Sequence, residues 1–126
     1  MLNKHDYLNP ITQNIDMVRG DTLAFNFQLK GLGNDTANIY FTCKENYEDE
    51  DALFVSYTDH GIEIVDYDSV NDITTFAVVI VPNQTKELDL ARYYYDLEAQ
   101  IGNNVLTLMR GRLTLLYDVT RGVDYA

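Results

Sequence analysis

The side chains best suited to chemistry in this sequence are a run of carboxylates, two histidines, one cysteine and two serines. The carboxylates lie within residues 45–51 (Glu-Asn-Tyr-Glu-Asp-Glu-Asp), and carboxylate oxygens are preferred ligands of Ca²⁺. The run lacks the Asp-x-Asp-x-Asp-Gly spacing of the twelve-residue calcium loop. We therefore interpret residues 45–51 as a solvated acidic loop, and calcium binding by this loop stays open as the alternative.

Metal and catalytic motifs are not found among the remaining candidates. His5, His60 and Cys43 are the three Cys or His residues of the chain, whereas zinc sites take three or four protein ligands at short spacings. No nucleophile-elbow sequence surrounds Ser56 or Ser69, and the glycines are scattered singly rather than gathered in a phosphate-binding loop. We predict no catalytic residues, no metal and no cofactor, and hence a protein that is not an enzyme.

Charge and hydropathy exclude several classes of partner. The net charge of −11 repels nucleic acid and anionic membranes. No run approaches the ~18 apolar residues of a membrane span, and the first residues lack the apolar core of a signal peptide. We expect synthesis in a cytoplasm, and partners that are neither nucleic acid nor membrane.

Four residues are the predicted interface. The chain has 10 tyrosines and no tryptophan, and tyrosine is enriched in protein interfaces. Tyr40 and Tyr94 fall on the outward positions of alternating stretches. Arg110 and Arg112 are notable in so acidic a chain, because arginine binds carboxylates through two parallel hydrogen bonds. Pairing with carboxylates of this chain is the alternative for both arginines.

The elements that must position these residues are strands. No segment longer than ~10 residues keeps a helical period, and short alternating stretches recur at regular spacing, as in a β-sandwich. Seven stretches are predicted as strands: 22–29, 38–44, 53–57, 62–65, 73–81, 93–101 and 105–119. Residues 66–72 are predicted to be a turn, and 73–81, which is apolar on both faces, a central strand covered on both sides.

Three finer predictions concern the connections between these strands. Residues 83–90 form one helical turn, with Leu88 and Leu90 directed to the core. A tyrosine of the run 93–95, at the start of a late strand and after a helical turn, bonds back to the backbone and locks the corner of the sandwich. Gly111 marks a bend, a bulge or a change of sheet in the last strand. Residues 1–18 are predicted to be an extended arm, and residues 19–126 a single domain.

A family resemblance follows from five short stretches. They resemble, in order, the elements of small β-sandwich domains in virion proteins of tailed bacteriophages, with the N-terminal domain of baseplate upper proteins as the nearest example. The stretches are Val-Arg-Gly-Asp-Thr-Leu-Ala-Phe-Asn-Phe (18–27), Ile-Tyr-Phe-Thr-Cys-Lys (39–44), 81–88, Tyr-Tyr-Tyr-Asp-Leu (93–97) and Gly-Arg-Leu-Thr-Leu (111–115).

The resemblance, which covers about residues 18–121, implies an all-β, immunoglobulin-like antiparallel sandwich of about seven to eight strands with one short helical turn. It also implies a structural or adaptor protein of the virion (baseplate, tail, head or fibre attachment) that assembles with other virion proteins and as a homo-oligomer. Two alternatives stay open. The acidic charge favours an inhibitor or nucleic-acid mimic that binds a basic partner, and the β-rich pattern also permits a carbohydrate-binding module.

Overall fold

The protein is mostly β-strand with one short helix, which confirms the all-β prediction. The computed structural model describes residues 11–33 and 35–117, together with the backbone of residues 2–3. No helix in this part of the chain is long and apolar enough to cross a membrane. The elements are β1 (Leu2–Asn3), β2 (Ile11–Thr12), β3 (Ile15–Val18), β4 (Leu23–Lys30), β5 (Ala37–Lys44), β6 (Phe54–Thr58), β7 (Gly61–Asp68), β8 (Ile73–Ile80), α1 (Pro82–Thr85), β9 (Arg92–Ile101) and β10 (Asn104–Leu116).

The strands form one curled, mixed sheet in the order β1-β4-β8-β7-β6-β5-β9-β10-β2, with β3 also beside β10. Pairing is parallel between β1 and β4, between β6 and β7, and between β10 and both β2 and β3. The other neighbours are antiparallel. The rings of Phe25 on β4 and Phe41 on β5 lie 6.1 Å apart although three strands separate these two in the sheet. The sheet therefore curls around its own core.

The core forms because one face of each long strand is apolar. Alternate residues of β5 (Ile39, Phe41 and Cys43) are fully buried, as the period-two pattern predicts. The Phe41 ring stacks on that of Tyr95 on β9 at 4.9 Å. Cys43 is a small buried side chain, as its place in the alternating pattern indicates. This burial raises the pKa of the Cys43 thiol to about 12, so the reactive thiolate is disfavoured.

Residues 11–18 of the predicted arm lie along β10. They form β2 and β3, which pair with residues 109–110 and 113–116 of β10. Gly111 permits this approach, because a Cβ atom there would lie 2.1 Å from the carbonyl oxygen of Gln13. The bulge in β10 lies at Leu108, between Thr107 and Met109, rather than at Gly111. The division into arm and domain stays a prediction, and residues 1 and 4–10 lie outside the described part.

The corner before β9 is held by the predicted tyrosine bond. The Tyr93 hydroxyl donates to the carbonyl oxygen of Asp89 at 2.7 Å. The helical turn begins at Pro82, and Leu88 packs against the core. The prediction for Leu90 is wrong, since 43% of its surface is exposed.

Two further expectations are corrected. We expected residues 66–72 to be a turn, but β7 continues to Asp68 because its last residues pair with Ile73–Thr75 of β8. We also expected β8 to be covered on both faces. One face, with Phe76 and Val78, is buried, whereas Ala77 and Val79 on the other are half-buried.

Candidate functional site

The four predicted interface residues project from one face of the sheet, on the side away from the core. The antiparallel registers place Tyr40 of β5 beside Glu98 of β9 and Tyr94 of β9 beside Arg112 of β10. Arg110 lies beside Asp96 in the next row. Cross-strand neighbours on one face are close enough to interact. The fold therefore brings the four residues together, while their role in binding stays a prediction.

A loop tyrosine that the sequence did not single out completes the centre of this face. The ring of Tyr47 lies 4.4 Å from that of Tyr94, tilted by 38°. The guanidinium carbon of Arg110 lies 5.0 Å from the centre of the Tyr47 ring, within the range of a cation–π contact. Tyr47 thus joins the two strands that carry Tyr94 and Arg110.

The acidic loop is fixed over the sheet by its own hydrogen bonds. Lys44 Nζ donates to the carbonyl oxygen of Asp49 at 2.6 Å, and the backbone N–H of Asn46 donates to the Asp49 carboxylate at 3.0 Å. The Leu53 amide donates to the Cys43 carbonyl oxygen at 2.8 Å where the loop returns to the sheet. These contacts position Tyr47 against β9. Beneath it lies a cleft of about 50 Å³, which is lined by Thr42, Lys44, Tyr47, Tyr94, Tyr95 and Asp96.

Cationic side chains are concentrated on this face. Of the seven lysines and arginines in the described part of the chain, four lie here, interleaved with the carboxylates of Asp96 and Glu98. Tyr57 of β6 extends the same surface beside Tyr40. We call it the cation–tyrosine face, and its residues are Tyr40, Lys44, Tyr47, Tyr57, Arg92, Tyr94, Asp96, Glu98, Arg110 and Arg112.

The two carboxylates of the face are partly desolvated. Burial raises the pKa of Asp96 above its ordinary value, although the charges of Lys44 and Arg110 lower it in part. Burial also raises the pKa of Glu98, and the neighbouring charge of Asp96 adds to that shift. A carboxylate with raised pKa carries its charge at a cost. The charges of Lys44 and Arg110 offset part of this cost at Asp96.

Of the other reactive side chains, Ser56 lies outside this face and His60 lies at its border. Ser56 is buried on β6, where its hydroxyl accepts a hydrogen bond from Gln84 Nε2 at 3.1 Å. The ring of His60 packs on Tyr57 at 4.6 Å. Across residues 11–33 and 35–117, including the acidic loop, no three His, Cys, Asp or Glu side chains are grouped so as to hold a metal ion. His5 lies outside the described residues.

Among the residues of this face that were not predicted, Lys44 and Asp96 could have been found from the sequence. Both alternate with buried neighbours, Lys44 with Cys43 on β5 and Asp96 with Leu97 on β9. Tyr47 gives no such signal, because it lies in a loop that has no period. Its position depends on the hydrogen bonds of Lys44 and Asp49.

No protein-family model matches the chain, and no curated protein matches it in sequence. Among solved structures, the chain is similar to a family 123 glycoside hydrolase from Clostridium perfringens that was studied for glycolipid glycan hydrolysis. The TM-score is 0.54 at 13% identity, and the match covers 93% of this chain and 25% of that one. The chain thus spans about a quarter of the hydrolase, and the likeness is one of fold alone.

Proposed function

We propose that this protein is a non-enzymatic binding domain that docks onto another protein through the cation–tyrosine face. The observation that carries the proposal is the concentration of four tyrosines and four cations on one sheet face of a chain whose net charge is −11. Following the resemblance of residues 18–121, the proposed setting is a tailed-phage particle. There the domain serves as a structural or adaptor protein beside other virion proteins or further copies of itself.

The chemistry of the face supports protein docking. Tyrosine and arginine, together with tryptophan, are enriched among the residues that carry binding energy. A tyrosine ring gives a large contact area at low entropic cost, and an arginine gives bidentate hydrogen bonds to carboxylates. Tyr94 and Arg110 are already held against Tyr47 by ring contacts, so little ordering remains to be done on binding. The exposed guanidinium of Arg112 selects a partner that presents carboxylates.

The remaining acidic surface orients such a partner. A negatively charged protein is repelled by most of this chain and is attracted at the cation–tyrosine face. Electrostatic complementarity of this kind raises association rates and discriminates against wrong orientations. We expect docking to weaken as the salt concentration rises.

The proposal includes a finer fold assignment, an immunoglobulin-like β-sandwich. Two observations support it. The curled sheet packs Phe25 of β4 against Phe41 of β5 across the core, and the Tyr93 hydroxyl bonds to the backbone at the corner before β9, as in such sandwiches. A rigid sandwich suits a structural role, because it presents the docking face without rearrangement.

The test compares two charge reversals in the phage that encodes the chain. Arg112→Glu changes the face, whereas Lys86→Glu makes the same charge change at an exposed position beyond α1. Quantitative mass spectrometry of purified particles should detect the wild-type chain and the Lys86→Glu variant at similar levels. We expect Arg112→Glu to lower incorporation about tenfold, which corresponds to ~1.4 kcal/mol of docking energy.

Two outcomes would reject parts of this proposal. Absence of the wild-type chain from particles rejects the virion role. Equal incorporation of two variants that melt at the wild-type temperature rejects the cation–tyrosine face as the docking surface.

A second candidate function is carbohydrate binding at the same face. The specific observation is the cleft of about 50 Å³ beside the Tyr47 and Tyr94 rings, with the polar groups of Thr42, Lys44 and Asp96 around it. The fold is also similar to part of an enzyme studied for glycan hydrolysis. A glycan array with wild-type protein and Tyr94→Ala tests it, since binding must occur and must depend on Tyr94.

A further inference from the structure

We propose that the open edge of β7 binds an extended segment of a partner protein, which alternates basic and apolar side chains, by strand addition. This surface lies outside the cation–tyrosine face, and the inference does not rest on the function proposed for that face.

The edge of β7 is unpaired over most of its length. On one side β7 pairs with β8 from Ile62 to Asp68. On the other side β6 reaches only Gly61 and Ile62. Among the strands that the structure describes, none pairs with residues 63–68 on that side. Such an edge offers backbone N–H and C=O groups to an incoming strand.

A bulge sorts the side chains of this edge into two sets. The register shifts between Ile64 and Asp66, so Val65 is an additional residue in β7. As a result Ile64 and Tyr67 both line the same groove, although they are three positions apart, an odd spacing that regular alternation would put on opposite faces. Glu63 and Asp66 are exposed outside it.

The groove beside the edge has room for the side chains of an added strand. Its volume is about 410 Å³, and it lies between β7 and the beginning of β5. Ile64 is 60% exposed and Tyr67 is 51% exposed, together with Val65 at 55% and Val70 at 90% on the same strand and its turn. Exposed apolar groups gathered at one place mark interaction sites. Every second side chain of an added strand would enter this groove, which favours apolar residues at those positions. The groove is lined by Leu32, Gly33, Asp35, Thr36, Ala37, Thr58, Asp59, Ile64, Tyr67 and Thr74.

Charge complementarity selects the intervening residues of the added strand. The exposed carboxylates of Glu63 and Asp66 flank the edge, and that of Asp59 is exposed at the groove. Lysine or arginine at alternate positions would meet these carboxylates. The net charge of −11 further favours the approach of a basic segment. It also disfavours a second copy of this chain as the occupant.

The test uses a defined probe, an eight-residue peptide of alternating valine and lysine with blocked ends. Titration into the full chain, followed by amide shifts and hydrogen exchange, should protect residues 63–68 more than the rest of the sheet. Two control peptides separate the contributions. An alternating valine–glutamate peptide should not bind. A valine–lysine peptide N-methylated at alternate residues should bind at least about tenfold more weakly, because it cannot donate to the edge.

A matched pair of variants separates this edge from general electrostatic attraction. Glu63→Lys with Asp66→Lys reverses two charges on β7, and Glu48→Lys with Glu50→Lys does the same at exposed positions of the acidic loop. The β7 variant should lose at least about tenfold in affinity, and the loop variant less than about twofold.

Three results would overturn the proposal. No binding of the valine–lysine peptide removes the edge as a site for such segments. Equal losses in the two variants, or equal binding of the N-methylated peptide, show that attraction occurs without strand addition. A dimer in sedimentation that excludes the peptide assigns the edge to a second copy.

Discussion

The edges of β10 and β7 belong to the same sheet, but within the described residues the first is covered over part of its length and the second is open. Along β10, residues 11–18 add two short parallel strands between Met109 and Leu116. Along β7, only Gly61 and Ile62 have a neighbour among the described strands on the side away from β8. The covered edge carries Arg110 and Arg112 of the cation–tyrosine face, and the open edge carries carboxylates and exposed apolar side chains.

The difference shows two ways in which a strand edge is kept from indiscriminate pairing. β10 is protected by residues 11–18 of the same chain. Their backbone comes so close to β10 that residue 111 must be a glycine. β7 is protected by features known to limit edge-to-edge association, namely a bulge at Val65 and the charges of Glu63 and Asp66. The first edge is occupied by strands of the same chain between Met109 and Leu116. The second is open to a partner that neutralises the charges.

The largest effect on stability is expected from a substitution that displaces β2 and β3 from the edge of β10. Gly111→Ala would place a Cβ atom 2.1 Å from the carbonyl oxygen of Gln13, so β2 and β3 must move away. We expect a loss of about 1–3 kcal/mol in the free energy of unfolding, measured in urea, and faster amide exchange in residues 11–18. The control is Gly102→Ala, where the new Cβ meets nothing within 4 Å. It should cost about 1 kcal/mol for its left-handed backbone and leave exchange in residues 11–18 unchanged.

A smaller loss should follow when the hydroxyl that secures the same edge is removed. Tyr95 donates to the carbonyl oxygen of Gln13, so Tyr95→Phe should cost about 0.5–1.5 kcal/mol. Tyr93→Phe, which removes the bond to Asp89, is a matched control with a similar cost. Only Tyr95→Phe should increase exchange in residues 11–18. If both variants loosen that segment equally, the Tyr95 bond does not hold the edge.

Two carboxylates near the two edges should give opposite responses to pH. Burial raises the pKa of Asp96, so this carboxyl group binds a proton more readily in the folded protein than in the unfolded chain. The free energy of unfolding therefore falls as pH rises from the ordinary pKa to the raised pKa of the folded state. Hydrogen bonds from the side chain and backbone of Asn71 lower the pKa of Asp68. The stability that the charged Asp68 carboxylate contributes is fully present above the ordinary pKa of the group. It is lost as pH falls through the lowered pKa of the folded state.

Thermal unfolding of two charge-removing variants checks these signs. At neutral pH, Asp96→Asn should raise the melting temperature relative to wild type, and Asp68→Asn should lower it. The deficit of Asp68→Asn should shrink in acid, where the wild-type carboxyl is also neutral. Shifts of the same sign in both variants at neutral pH would contradict the difference between the two sites.

The smallest effect on stability is expected at the open edge. Val65 is 55% exposed in the bulge, so Val65→Lys should change the free energy of unfolding by no more than about 0.5 kcal/mol. The same variant should reduce the light scattering that aggregates cause in concentrated protein, because a lysine on an edge strand opposes edge-to-edge association of two molecules. A loss above about 1 kcal/mol would show that Val65 contributes to packing and that this edge is not open.

The sequence predicts the parts of this fold that depend on local periodicity. Ile39, Phe41 and Cys43 are buried as their alternation indicates, and the seven predicted strands correspond to β4–β10. The same alternation placed Tyr40 and Tyr94 outward, which is why they share one face. A corner tyrosine within 93–95 was predictable because its place after a helical turn is itself a local pattern, and the structure identifies it as Tyr93.

Features that depend on distant pairing were not predictable in this way. Residues 11–18 (Ile-Thr-Gln-Asn-Ile-Asp-Met-Val) have too few apolar residues for a clear period, and their strands form only against β10. The polar end of β7, at Asp66 and Asp68, stays extended because β8 supplies its hydrogen bonds. Tyr47 reaches the cation–tyrosine face through loop bonds that no spacing rule encodes. Long-range hydrogen bonds and irregular loops therefore account for most of what was missed.

The parallel pairing of β3 with β10 has a consequence for biosynthesis. Residues 15–18 are translated almost a hundred codons before their neighbours at 113–116. Pairing across so long a separation is slow, and strands that wait for their neighbours are exposed to misassembly. Residues 11–18 must therefore remain available while the strands between them and β10 are synthesised. Completion of the β10 edge is then a late step in the folding of this sheet.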